Sequence, residues 1–103
     1  MARRRQEETF MNFTHVDGKD CGRITFYGLS TCGWCRRTRQ LLEKLGVAYD
    51  YVYVDLLEPA EQDKAMEEVR RWNPNESFPT LVFNDESCIL GFDENKIREA
   101  VKK

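Results

Sequence analysis

Two cysteines separated by two residues, Cys32-Gly33-Trp34-Cys35, are where this sequence places residue types and a spacing suited to covalent chemistry. A thiolate attacks a disulfide, and a second thiol then resolves the mixed disulfide, so the reaction needs two sulfurs within bonding reach, one of them ionised. Two intervening residues on a first helical turn meet the first condition. A helix N-terminus meets the second, because its unpaired N–H groups and the positive end of the macrodipole favour a thiolate. On that reading Cys32, at the helix end, is the nucleophile and Cys35, one turn deeper, is the resolving thiol. Zinc is the competing use of such a pair. A closed site needs two more ligands, typically a second pair, whereas Cys21, Cys88 and His15 are isolated from one another, so neither a metal nor a cofactor is expected. Cys88 reads as a small core hydrophobe. Cys21 follows a polar turn and reads as exposed, either inert or open to glutathionylation and intermolecular pairing. Arg36, Arg37 and Arg39 follow the pair, either as a solvated face or as cations that draw acidic partner surfaces or support the thiolate; the dipole disfavours cations there.

The surrounding elements must position those sulfurs. Ile24-Thr25-Phe26-Tyr27 is a β-branched and aromatic run stopped by Gly28, hence a buried strand. Ser30 and Thr31 offer N-cap hydroxyls to a helix whose Leu41, Leu42 and Leu45 share one face until Gly46 closes it. Tyr49 to Val54 reads as a second strand ended by Asp55. Glu58-Pro59 opens a helix with Ala65, Met66, Val69 and Trp72 at core spacing, and Asn73-Pro74-Asn75 stops it. Thr80–Phe83 and Ser87–Leu90 flank turn residues and predict a hairpin. Asp93 caps a last helix with Ile97, Ala100 and Val101 inward and Lys102 and Lys103 at its end. The order is βαβαββα. Ahead of it, residues 1–22 form an arm: Met1 to about Thr9 is read as mobile, and Thr9–Val16 as ambiguous, its weak alternation compatible with a short added strand. The compact domain spans residues 23–103.

Composition bounds the function. The 103 residues carry 16 Lys and Arg against 18 Asp and Glu, a net charge of -2, which argues against a general nucleic-acid or anionic-membrane binder. A hydrophobic fraction of 41% with four cysteines does not suggest a disulfide scaffold. No apolar segment follows Arg3-Arg4-Arg5, so no secretory signal is read and a cytoplasmic protein, with reduced thiols, is expected.

A strand ending at the Cys-x-x-Cys, the Phe78-Pro79-Thr80 step into the hairpin and the Gly91-Phe92-Asp93 entry to the last helix together resemble the glutaredoxin family of the thioredoxin fold, from about Ile24 to Val101. The resemblance implies an α/β domain with a four-stranded mixed sheet, the first and third helices on one face and the second on the other. It implies a cis Pro79 against the sulfurs, with Phe78 offering backbone hydrogen bonds to an extended substrate; from the residues alone Pro79 would be an ordinary strand-edge proline. Gly33, Trp34, Phe78, Pro79, Thr80, Gly91, Phe92 and Asp93 are accordingly expected at the substrate surface. Three departures concern the reductant. Leu29 stands where the family usually has Lys or Arg, Gly91-Phe92 replaces a Gly-Gly pair, and Gly33 replaces a common proline. These are similar to glutaredoxin-like redoxins that take electrons from thioredoxin reductase and serve ribonucleotide reductase. The expectation is a monomeric thiol-disulfide oxidoreductase acting on disulfide-containing proteins. Thioredoxin reductase is favoured over glutathione as donor, with a glutathione-dependent enzyme or an iron-sulfur glutaredoxin as alternatives. Asp93 leaves a carboxylate site at the last helix open.

Overall fold

The computed structural model describes residues 13–102. The expected mobile segment Met1–Thr9 lies outside them, as do Phe10 and Met11.

Ile24–Gly28 (β2) forms the middle of a sheet because its side chains are buried on both faces: Phe26 is turned to one side and Tyr27 to the other. Tyr49–Tyr53 (β3) pairs with it in parallel, and Thr80–Phe83 (β4) pairs antiparallel on its other side, followed by Ser87–Leu90 (β5). The parallel pair requires a crossover, which Gly33–Leu45 (α1) supplies, closed by Gly46 in the left-handed region. Val54–Leu56 is a short 3-10 turn leading to Pro59–Trp72 (α2), which starts with proline as the fixed φ of that residue favours. Glu94–Ala100 (α3) ends the domain.

The helices divide as expected. Leu41 and Leu42 of α1 and Ile97 of α3 share one core with Phe26, Leu81 and Ile89, while Ala65 and Val69 of α2 share the other with Tyr27, Val52 and Val82. This alternation along β2 and β4 is the period-two signature of a sheet buried on both faces.

The strand count differs from the expectation of four. Thr14–Val16 (β1) adds an antiparallel edge to β3, giving a five-stranded sheet in the order β1-β3-β2-β4-β5. The contact continues beyond the strand: Lys19 N–H donates to Gly46 O at 2.8 Å, and Ala48 N–H donates to Lys19 O at 2.9 Å. Cys21 is buried in the α1 and α3 core, not exposed as its polar neighbours suggested. Asp20 explains this. Its carboxylate accepts the Gly22 N–H at 3.0 Å, so the polar turn folds back on itself and delivers residue 21 inward. Cys88 is half-buried on the other core, its thiol 3.6 Å from Trp72 O.

Candidate active site

The path from β2 to α1 brings the two cysteines to the C-terminal edge of the sheet, held by a backbone turn and by the Asp55 side chain. After Gly28 the chain bends so that Cys32 N–H donates to Leu29 O at 3.1 Å. The expected N-cap hydroxyls are not used. Cys32 is itself the N-cap of α1, its Sγ accepting the Cys35 N–H at 3.2 Å, because Ser30 faces the other way, donating its N–H to Asp55 Oδ1 at 2.9 Å and its hydroxyl to Oδ2 at 2.5 Å. Asp55 therefore clamps the loop that carries the nucleophile candidate. Burial, the largest single influence, opposes its charge, yet the two Ser30 donors and its own backbone amide together hold the Asp55 carboxyl below its usual range.

The two sulfurs occupy unlike surroundings. Cys32 is half-exposed at the helix end, where an aimed amide and the helix dipole stabilise negative charge. Cys35 is fully buried against β2. A Cβ added at Gly28 would stand 3.2 Å from Cys35 Sγ and 2.7 Å from the Phe26 ring, so only a residue without one leaves space for the second sulfur. Burial, reinforced by the neighbouring Cys32 sulfur and only partly offset by a backbone hydrogen bond at Leu29, pushes the Cys35 thiol up to about 12.

A second loop meets Trp34, between the two cysteines in the chain, along one groove. The Phe78–Pro79 peptide is cis. Buried Asn73 donates to Ser77 O at 2.9 Å and to Thr80 Oγ1 at 3.1 Å, and the Thr80 hydroxyl donates to Ser77 O at 2.9 Å. Thr80 was expected at the substrate surface; it is instead wholly buried, its hydroxyl engaged within this loop, where it shapes the approach to Pro79. Phe78, Phe92 and Cys32 each pack against the core that contains Cys35.

Trp34, from between the two cysteines, lines a shallow groove of about 290 Å³ together with Phe78, Pro79, Gly91 and Phe92. The Trp34 and Phe92 rings stack at 5.5 Å, with 56% of Trp34 exposed. Gly91 N–H donates to Pro79 O at 2.9 Å, tying the α3 entry to the cis loop. Asp93 caps α3 by accepting the Lys96 N–H at 3.1 Å. Gly33 faces open space, and Leu29 packs against the α2 core. The structure thus brings Trp34, which lies between the two cysteines in the chain, together with Phe78, Pro79, Gly91 and Phe92 on one groove; Gly33 is open beside Trp34, Asp93 caps α3, and Thr80 lies within the cis loop.

Asp55, Asn73 and Gly28 were not singled out for the site in the sequence. Their places looked like a strand end, a helix stop and a strand stop, and the partner of Asp55 lies 25 residues away. Arg39 has a structural role. Its guanidinium lies 3.8 Å from the centre of the Tyr51 ring and bonds to Tyr49, Tyr53 and Glu43.

This combination of fold and site has relatives. The glutaredoxin family model matches residues 24–88. The glutaredoxin of Methanosarcina mazei Go1 is 55% identical with a TM-score of 0.83, covering 88% of each chain. The methanoredoxin of Methanosarcina acetivorans is 53% identical with a TM-score of 0.82, covering 84% of this chain and 90% of its own. A glutaredoxin-like protein of the rubredoxin operon of Clostridium pasteurianum is 29% identical over 78% of this chain and 99% of its own. The 88% coverage is more than residues 24–103 could supply, so the likeness takes in part of the N-terminal segment as well. A family match across more than half the sequence, on a fold that carries a Cys-x-x-Cys at the start of α1 and a cis proline at Phe78–Pro79, makes this chain a member of the glutaredoxin family.

Proposed function

We propose that the protein is a thiol-disulfide oxidoreductase that reduces disulfide-containing proteins by a dithiol mechanism. Cys32 thiolate attacks one sulfur of the substrate disulfide; the substrate S–S bond breaks, and the departing sulfur leaves as a thiolate that takes a proton. Cys35 then gives up its proton and attacks the Cys32 sulfur, releasing the second substrate thiol and leaving a Cys32–Cys35 disulfide. Two electrons have moved from protein to substrate. The observation that carries this reading is the inequality of the two thiols. One sits at a helix end with an amide on its sulfur, and the other is buried and held up to about 12, so it remains a neutral thiol until the first bond has formed. Phe78, Pro79, Trp34 and Phe92 receive the substrate chain, the backbone of Phe78 pairing with it, while Gly33 leaves the approach to Cys32 open. Thr80 and Asp93 act by holding the loops that bear these residues.

For the electron donor, thioredoxin reductase is favoured over glutathione. Leu29 packs into the α2 core where a lysine or arginine would meet a glutathione carboxylate, and Phe92 stacks on Trp34 where a second glycine would leave the groove wider. Known couples span about -200 to -230 mV for glutaredoxins and about -270 mV for thioredoxin, so a few kcal/mol separate the two donors. The protein would work as a monomer in the cytoplasm, with ribonucleotide reductase among the targets that this donor suggests.

Insulin-disulfide reduction tests the mechanism. Cys32→Ser should reduce turnover to the uncatalysed rate, and Cys35→Ser should accumulate mixed disulfides; a Cys32 variant that keeps its activity would refute the assignment. Turnover with thioredoxin reductase and NADPH, compared with glutathione, tests the donor, and exclusive glutathione coupling would reverse the preference.

A further inference from the structure

The described arginines fall into two groups. Arg23, Arg39, Arg70, Arg71 and Arg98 each lie within 4 Å of a carboxylate, on Asp85, Glu43, Glu76, Glu68 and Glu94 respectively. Arg36 and Arg37 have no carboxylate partner among the described residues, and both are exposed. They are also the two placed against the helix dipole, on the first turns of α1, where no acidic residue offsets them.

Helix geometry puts both at the rim of the site. Arg36 is one turn on from Cys32, whose carbonyl accepts the Arg36 N–H at 3.1 Å, and Arg37 is one turn on from the open Gly33, so each shares a helix face with the approach to the nucleophile. The Arg37 guanidinium lies 5.4 Å from the centre of the Trp34 ring, which with the stacked Phe92 ring lines the groove. The far side has the other sign. Asp93 and Glu94 follow Phe92 in the chain, Asp93 committed to the cap of α3 and Glu94 to Arg98 at 2.8 Å. Asp55, on the loop side, is held by Ser30. The groove is therefore apolar along its floor, and its α1 rim carries two arginines with no carboxylate partner among the described residues.

We propose that this surface selects an extended protein segment that carries acidic side chains beside its reacting cysteine, with Arg36 and Arg37 taking the carboxylates and the Trp34–Phe92 groove taking the chain. This rests on the disulfide-reducing reading above and specifies its substrate class. Cations without a carboxylate partner among the described residues raise encounter rates with acidic surfaces and penalise basic ones, and salt screens the effect.

Single-turnover oxidation of the pre-reduced protein, followed by tryptophan fluorescence, tests this without choosing a donor. Three peptide disulfides would be used, identical except for Glu, Gln or Lys on both sides of the reacting cysteine. The second-order rate constants should fall in the order Glu, Gln, Lys, with about a tenfold span at low salt for two exposed ion pairs, shrinking towards unity at 1 M salt. In the Arg36→Gln/Arg37→Gln double variant the Glu-to-Lys ratio should collapse to near one. Arg70→Gln/Arg71→Gln on α2, which changes net charge equally, should retain it. An equal rate for Glu and Lys peptides, a ratio unchanged in the Arg36 and Arg37 variant, or an equal loss in the α2 variant would overturn the inference. Failure of all three peptides to oxidise the protein would overturn the disulfide-reducing reading itself, and this inference with it.

Discussion

The two ends of the sheet are built by different means. At the C-terminal ends of β2 and β3, around Cys32, side chains hold the turns: Asp55 holds Ser30, Asn73 holds the loop before Pro79, and Asp93 holds the start of α3. At the opposite end a backbone clasp fastens the N-terminal segment at Lys19. Lys19 bonds through its N–H and carbonyl to Gly46 and Ala48, Gly18 lies against the same turn, and Cys21 fills the core behind. A turn held by side chains can leave a neighbouring group exposed and aimed, because each polar contact is directional and independent of the sheet ladder. A backbone clasp closes an end but presents no chemistry. The active end thus depends on which residues are present, and the clasped end on how much room they leave.

That contrast can be broken from either side. The largest effect should follow Gly28→Ala, whose methyl would meet the Phe26 ring at 2.7 Å and Cys35 Sγ at 3.2 Å in the core. A loss of about 3 kcal/mol in urea unfolding is expected from overpacking, together with slower resolution of the mixed disulfide, because Cys35 is displaced. At the other end, Gly18→Ala places a methyl 2.6 Å from Val47 C and 2.7 Å from Gly46 O. It should cost about 2 kcal/mol, limited by release of the clasp, while the oxidation rate per folded molecule stays at the wild-type value. A rate loss there would show the two ends to be coupled.

The smallest effect sharpens the comparison at β1. His15 lies 2.7 Å from Asp50 on β3 and 3.2 Å from Asp17. The hydrogen bond to Asp50, more than any other contact, holds the imidazole above its ordinary value of 6.5, with slight burial working against it. The folded state therefore binds the proton more tightly than the unfolded one. Its stabilisation is complete below about pH 6 and fades as pH rises through the raised folded value. Because His15 is largely exposed, about 0.3 kcal/mol is expected. Chemical denaturation at pH 5.5 and 8 should show wild type losing that much more than His15→Gln as the pH rises, with no change in redox rate.

Regular elements and the cysteine pair were legible from sequence because their signals are local. The β-branched run of β2, the leucines of α1 and the apolar runs of the hairpin each declare a period within a few residues, and Cys-x-x-Cys between a strand and a helix declares its chemistry. What escaped was set by distant partners. The three residues of Thr14–Val16 are too few and too exposed to show more than the weak alternation that left this segment ambiguous; pairing with β3 makes them a strand. Cys21 sits among polar neighbours whose hydrogen bonds turn inward on one another. Ser30 resembled an N-cap until Asp55, from the other side of the crossover, claimed its hydroxyl and left the cap to a sulfur. Thr80 shared the motif of Phe78 and Pro79 but points to Asn73.

The central claim is that the two thiols are unequal, one available for attack and the other buried and protonated. Alkylation mapping tests it directly. Fully reduced protein treated briefly with limiting iodoacetamide at pH 7 and at pH 9, then digested and analysed by mass spectrometry, should carry the label on Cys32 at both values, with Cys35 unmodified, since its thiol is held up to about 12. Label appearing first, or equally, on Cys35 would contradict the account.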